Sequence, residues 1–369
     1  MDVSVADHGG QIHQAARALG LPVSQILDFS ANINPLGPPP SVRRALVQAL
    51  DDIRFYPDST QAEVKQVIAD LHQVRTPQVL VSNGATEAID LALRKWNPTR
   101  VWVLEPAFSE YRAAAFRHRL RVVSMRLASD FSVPWDRLIA RAQPGDCVIW
   151  NNPHNPTGRH VRRGEFMAPV QALAKRGVAV LIDESFMDFV RNAQECTAIA
   201  EAFEPASHVA VVRSLTKFLA IPGLRLGYAI ADCSWVQDIE RVRDRWSVSH
   251  LAQVAGAAGL KDLAFRDDTF DWLYQEQLRL KELWGPNPLY RRYPTSVNFF
   301  LMRWADAELA NVLLQALFDR GILVRSCADF LGLGPSYWRI AIRRPVDNDA
   351  LQDAVQECLR EGHGRWLRV

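Results

Sequence analysis

The stretch Val209–Ile230, VAVVRSLTKFLAIPGLRLGYAI, decides the reading of this chain. Its ends, Val209–Val212 and Gly227–Ile230, are short apolar runs of the kind that fill fully covered positions in a pleated sheet. Between them lies a segment carrying a serine, a threonine, a lysine and an arginine. Working outward, the same alternation runs from 79 to 231. Strands are predicted at Val79–Val81, Val101–Leu104, Arg121–Met125, Cys147–Trp150 and Val178–Ile182, with longer amphipathic segments between them. This pattern predicts an α/β fold whose large domain holds a mostly parallel seven-stranded sheet, covered on both faces. Ligands of such sheets sit beyond the carboxyl ends of the strands. The clusters SNGATE, EPAFSEY, NNPHNPTG, DESF and RSLTK each follow one of the runs, and five in register read as one site.

The rest of the chain divides around that core. The length of 369 residues favours two domains. The segment from 232 to 285 reads as helical, and further strands are expected at Ser296–Met302, Ile322–Arg325 and Trp338–Ile342. We expect an N-terminal arm at 1–50, a large domain at 51–260 and a smaller α+β C-terminal domain at 261–369. The first 50 residues are expected to be irregular, with a proline-rich turn at Asn34–Pro40, and to fold back on the site and the small domain.

Composition excludes several classes. A content of 48% hydrophobic and 23% charged residues is that of a globular protein, and a net charge of +2 gives no reason to expect nucleic acid. The five cysteines (Cys147, Cys196, Cys233, Cys327, Cys358) are scattered with no CxxC pair, so neither a metal site nor a disulfide framework is predicted. The N-terminal MDVSVADHGGQIHQ has no apolar signal region and no run approaches a membrane span, so a cytoplasmic location is expected.

The polar clusters suit pyridoxal 5′-phosphate (PLP). That cofactor needs a lysine for its aldehyde, an anion near its pyridine nitrogen, a phosphate cradle and a ring clamp. Lys217 follows an apolar strand, where lost hydration favours the free amine. Ser214 three positions before it and Arg225 eight after it suit a shared phosphate. Asp183 ends the run VAVLID and can pair with a protonated pyridine nitrogen; it can equally cap the next segment. Gly84-Ala85-Thr86 open a helix, where backbone N–H groups and the Thr86 hydroxyl can meet an anion. Asn155, in the irregular NPHNPTG loop, can donate to the cofactor's phenolic oxygen, and Phe108 can stack on its ring.

Gly84-Ala85-Thr86, Asn155-Pro156-Thr157-Gly158, Asp183, Ser214-Leu-Thr216-Lys217 and Arg225 resemble, in order and spacing, the fold-type I PLP enzymes. The chain is similar end to end to their class II aminotransferase branch, which includes histidinol-phosphate aminotransferases. Within it, His8-Gly9-Gly10, DFSANINPLG at 28–37 and DESFMD at 183–188 resemble the threonine-phosphate decarboxylase family of cobalamin biosynthesis. One departure from the aminotransferase pattern is Phe186, which stands where DEAY would place a tyrosine.

The resemblance implies roles position by position. Lys217 is the Schiff-base lysine, Asp183 the pyridine partner and Asn155 the phenolic-oxygen donor. Gly84, Ala85, Thr86, Ser214, Thr216 and Arg225 hold the cofactor phosphate, with Phe108 against the ring. Tyr56, in RFYPD, reaches the cofactor of a neighbouring subunit, which implies a homodimer. Arg339 binds the substrate α-carboxylate; Arg325, with Arg343 and His8, binds the substrate phosphate, and Asn32 lies in the same substrate-binding set. The alternation of Arg339 and Arg343 admits both a solvated face and a shared pocket. The implied reaction is decarboxylation of O-phospho-L-threonine to (R)-1-aminopropan-2-yl phosphate. The alternative is a histidinol-phosphate-type aminotransferase using glutamate and 2-oxoglutarate. A PLP-binding regulatory domain fused to a basic DNA-binding module ranks far behind, because no such module precedes the HGG segment.

Overall fold

A computed structural model describes residues 9–202 and 208–361. The chain forms two compact units: residues 1–35, 156–159 and 271–369 make one, and residues 36–155 and 160–270 make the other. The segments 1–50, 51–260 and 261–369 drawn from the sequence remain our proposal for the folding domains.

The strands, in chain order, are β1 (Leu27–Asp28), β2 (Val79–Ser82), β3 (Arg100–Glu105), β4 (Arg121–Arg126), β5 (Cys147–Asn151), β6 (Ala179–Asp183), β7 (Val209–Ser214) and β8 (Gly227–Ile230). They continue with β9 (Tyr290–Arg292), β10 (Phe299–Trp304), β11 (Ile322–Leu323), β12 (Arg325–Ser326) and β13 (Tyr337–Ala341). Strands β2 to β8 form the seven-stranded sheet of the larger unit, in the order β2-β8-β7-β6-β5-β3-β4. Every pairing from β4 through β7 is parallel, while β8 runs antiparallel to both β7 and β2. All seven predicted runs are strands of this sheet.

Burial explains why these runs pair. Every residue of β2, β5, β6, β7 and β8 is buried. Fully burying a Val, Leu or Ile side chain contributes about 1.5–3 kcal/mol. The helix Gly84–Trp96 packs Ala88, Ile89, Ala92 and Leu93 into the same core as Val101, Val103, Ile149 and Leu181.

The register aligns the polar strand ends. Ser82 pairs with Gly227, and Gly227 with Ser214. In the parallel part, Asn151 pairs with Asp183, and Asp183 with Val212. The polar ends therefore lie along one edge of the sheet.

The smaller unit has its own four-stranded antiparallel sheet, β12-β13-β10-β9, and a separate parallel pair of β1 with β11. Its helix Ala307–Asp319 starts at Asp306, whose side chain accepts from the Leu309 N–H, and a second helix spans Pro345–Glu361. Two short strands that sequence patterning misses, β1 and β9, complete these pairings.

One expectation fails. Residues 9–50 are not irregular throughout: helices span Ile12–Leu19 and Pro40–Gln48. The first buries Ala15 and Ala16 and stops at Gly20 in the left-handed region, while the second begins at Pro40 inside the proline run. Among the described residues no helix is long and apolar enough to cross a membrane, and no cluster of His, Cys, Asp or Glu is suited to a metal ion.

Candidate active site

Lys217 sits in the short helix Leu215–Phe218 directly after β7. Its Nζ donates to Ser214 Oγ at 3.0 Å, and Ser214 Oγ lies 2.8 Å from Thr216 Oγ1. Both hydroxyl residues are buried. The Phe186 ring, which follows β6, has its centroid 5.3 Å from the same Nζ.

Asp183 closes β6 and is held from two sides. Tyr111 donates its hydroxyl to Asp183 Oδ2 at 2.7 Å, and the Ser185 N–H donates to Oδ1 at 2.8 Å. Burial raises the Tyr111 pKa well above the usual phenol value, and the Asp183 charge raises it further. The phenol thus keeps its proton and acts as a fixed donor to the carboxylate. Phe108 meets Tyr111 edge to face, with ring centroids 5.7 Å apart. Sequence reasoning missed Tyr111. Its one signal is its place in EPAFSEY, three residues after Phe108.

Gly84 begins the helix that follows β2, with φ +75 and a backbone oxygen that accepts from Ser82 Oγ at 3.0 Å. A Cβ here would lie 2.4 Å from Arg225 Nη2, so the missing side chain is the space that guanidinium occupies. Ala85 is buried and Thr86 half-buried beside it. Gly84→Ala should displace Arg225 and strain the backbone by about 1–2 kcal/mol, weakening cofactor phosphate binding roughly tenfold. An absorbance titration with PLP reads this, and an unchanged Kd would remove Gly84 and Arg225 from the cradle.

Behind these groups lies a buried charge network that the sequence reading also passed over. Arg213, 3% exposed, donates to Glu184 Oε2 at 2.9 Å, Asp188 Oδ1 at 2.7 Å and Thr197 Oγ1 at 3.2 Å. Glu184 also accepts from Thr197 Oγ1 and the Ala198 N–H, each at 2.7 Å. Burial disfavours the Arg213 charge, but Glu184 and Asp188 outweigh it and hold the guanidinium above its ordinary pKa. Arg213 precedes Ser214 and Glu184 follows Asp183, so this ion pair ties the ends of β6 and β7 beside Ser214 and Asp183. Asn155 is buried, and the neighbouring His154 ring lies 2.9 Å from the Pro106 oxygen.

The smaller unit carries the arginines. Arg325 and Arg339 are a directly opposed cross-strand pair of β12 and β13, and both are buried. Arg339 Nη2 donates to the Ser30 carbonyl at 2.6 Å, and Arg325 Nη2 to Asp329 Oδ2 at 2.6 Å. Burial, with Arg325 close by, pushes the Arg339 pKa down to about 10. Gly9 packs against the same spot: a Cβ there would lie 2.1 Å from the Ser30 oxygen and 3.2 Å from Arg339 Nη2. Asn32 Oδ1 and Asn298 Oδ1 are buried with no hydrogen-bond partner among the described residues, which a polar ligand would supply. Arg343 lies beyond the end of β13, where it binds Asp347 Oδ2 at 3.2 Å and the Asp28 carbonyl at 3.1 Å. His8 lies outside the described residues.

Tyr56, in the larger unit, is 82% exposed and packs on Trp246 with ring centroids 5.0 Å apart. Val47, Leu50, Ile53, Phe55, Val242 and Trp246 are exposed too.

With this geometry in view, comparisons place the chain. It belongs to the aminotransferase class I and II family, whose model matches residues 24–357. It is 37% identical to the threonine-phosphate decarboxylase of Salmonella typhimurium over 355 residues, 95% of this chain and 96% of that one. Among solved structures it resembles L-threonine-O-3-phosphate decarboxylase from Porphyromonas gingivalis at TM-score 0.76 and 25% identity, covering 91% of this chain and 100% of that one. It also resembles the histidinol-phosphate aminotransferase of Clostridium acetobutylicum at TM-score 0.84 and 26% identity, with 91% and 100% covered.

The residues present fit the family's cofactor, PLP. A lysine amine, a buried carboxylate at a strand end, and hydroxyls beside a helix N-terminus with an arginine cover its aldehyde, pyridine nitrogen and phosphate.

Proposed function

We propose that this protein is a PLP-dependent carboxy-lyase that converts O-phospho-L-threonine to (R)-1-aminopropan-2-yl phosphate and CO2 in cobalamin biosynthesis. The observation that carries the reading is the full-length similarity to the Salmonella typhimurium threonine-phosphate decarboxylase. The placement of Phe186 beside Lys217 goes with it, because a phenylalanine offers no hydroxyl there.

When bound, PLP supplies an electron sink for the pair left behind by the departing carboxylate. The chain does the rest. Lys217 holds the aldehyde, and Asp183, fixed by Tyr111 and the Ser185 N–H, keeps a proton at the pyridine nitrogen. Asn155 donates to the phenolic oxygen and Phe108 clamps the ring. Ser214, Thr216, Arg225 and the Gly84-Ala85-Thr86 N–H groups hold the phosphate. Arg339 grips the substrate α-carboxylate through a planar fork suited to bidentate pairing. Arg325, with Asn32, Arg343 and His8 in support, holds the substrate phosphate. Once the substrate amine has taken its place at the aldehyde, Lys217 Nζ would be free to return a proton to the substrate Cα as CO2 leaves.

The working form is a homodimer, with Tyr56 reaching the partner's cofactor site. The exposed apolar set around Tyr56 and Trp246 supports this, since a second copy would bury it.

A second reading is amino transfer, favoured by the likeness to the Clostridium acetobutylicum aminotransferase. The deciding experiment incubates purified holoenzyme with O-phospho-L-threonine and measures CO2 and the amine. Stoichiometric CO2 is expected. No CO2, with glutamate formed from histidinol phosphate and 2-oxoglutarate, would reverse the assignment.

A further inference from the structure

The four-stranded sheet of the smaller unit continues its arginine pattern outward to the surface. Paired residues of antiparallel strands share a face, and so do residues two apart along a strand. Arg325 pairs with Arg339, and two residues along β13 from Arg339 lies Tyr337. Tyr337 pairs with Arg303, and Arg303 with Arg291. One face of the sheet thus carries a row: Arg325, Arg339, Tyr337, Arg303, Arg291. It runs from buried, at the first two, through half-buried Tyr337, to exposed at Arg303 and Arg291.

The outer end is built rather than loose. The Arg303 guanidinium lies over the Tyr337 ring, 5.7 Å from its centroid, and that of Arg291 over Tyr293 at 4.9 Å. The two tyrosine rings are 6.5 Å apart and inclined by 31°. Flat guanidinium groups stacked on rings keep their N–H edges available for an anion. Burial raises the Tyr337 pKa, which keeps its phenol protonated.

Sheet stability does not account for this pair. Like charges directly opposite each other on neighbouring strands are destabilising. Some other arginines here are matched with carboxylates, as in Arg112–Glu105, Arg117–Asp90 and Arg279–Glu276. Among the described residues no carboxylate lies within ion-pair distance of Arg291 or Arg303, so an external anion is the partner that would offset the repulsion.

We propose that Arg291 and Arg303 form an outer capture site for the phosphorylated substrate dianion, which then passes along the same sheet face to Arg339 and Arg325. The two positions are two residues apart along β13, about 7 Å, so a small phosphorylated amino acid spans the step. This rests on the decarboxylase reading given above. Its effect is on encounter and therefore on kcat/KM, because charges that raise the local concentration of an anion speed association.

The test compares the holoenzyme with an Arg291→Gln/Arg303→Gln variant and an Arg121→Gln/Arg126→Gln control, which removes the same charge from exposed positions of β4. For O-phospho-L-threonine at low ionic strength, the first variant should lose about tenfold in kcat/KM, with a flatter salt dependence, while the control matches the parent. High salt should narrow the gap, and Arg291→Lys/Arg303→Lys should recover most of it. Calorimetry with inorganic phosphate reads the site without turnover, and weaker phosphate binding is expected in the Gln variant alone. The Gln variant should also melt no lower than the parent. Parent-like kcat/KM, salt slope and phosphate binding in that variant would overturn the inference. So would a loss equalled by the control. If the parent releases no CO2, the decarboxylase reading fails, while the phosphate titration still decides whether the outer site exists.

Discussion

Lys217→Ala is expected to lower CO2 release from O-phospho-L-threonine by about 10⁴-fold or more. Proton transfer by a positioned group contributes about 10²–10⁴-fold, and in the proposed function this lysine also anchors the cofactor. The hydrogen bond of Nζ to Ser214 Oγ places the amine next to the hydroxyls proposed to hold the cofactor phosphate, so its removal should affect both functions. Lys217→Arg should not rescue, because a guanidinium neither forms the imine nor gives up its proton near neutral pH. Borohydride reduction of the wild-type holoenzyme and peptide mapping should place the label on Lys217 alone. A variant retaining a tenth of the wild-type rate, or a label on another lysine, would remove Lys217 from the centre of the site.

Asp183→Asn should be the second-largest loss. Removing one member of a buried charge pair costs about 3–5 kcal/mol, which corresponds to roughly 10²–10⁴-fold in rate. An asparagine can still accept from Tyr111, but it cannot offset a positive pyridine nitrogen. Tyr111→Phe removes only the hydrogen bond that fixes the carboxylate, so about 1.5–3 kcal/mol is at stake there. The ordering is the informative result, read from kcat at saturating cofactor together with the cofactor Kd. If Tyr111→Phe matches or exceeds Asp183→Asn, the carboxylate is not a charge partner and Tyr111 itself acts on the cofactor.

Much of this site is legible in the chain because its parts are local. β-Branched runs mark the seven strands, and the clusters after them hold Gly84, Asn155, Asp183, Ser214 and Lys217. What escapes is set by tertiary pairing. Tyr111 reaches Asp183 across 72 positions, and no local pattern announces that contact. Arg213 and Glu184 each sit one residue from a position the motifs pick out. Their signal is a charge embedded in or ending an apolar strand, which requires a buried partner. The helix Ile12–Leu19 escapes because it is one short segment with no side-chain cap at Gln11. The arginine row across the small sheet escapes because cross-strand register brings it together, and register is not written in any one strand.

The pairing of β1 with β11 has a consequence for synthesis on the ribosome. Among the described residues Leu27 and Asp28 find their strand partners only in Ile322 and Leu323, about 295 residues further on. At roughly 5–20 residues per second, the first strand made waits about 15–60 s for its mate to emerge. Throughout that interval residues 36–270, apart from 156–159, can complete their own core, while β1 is without its pairing strand. Until β11 emerges, β1 is therefore held in the growing chain without the hydrogen-bonding partner that it has in the finished fold.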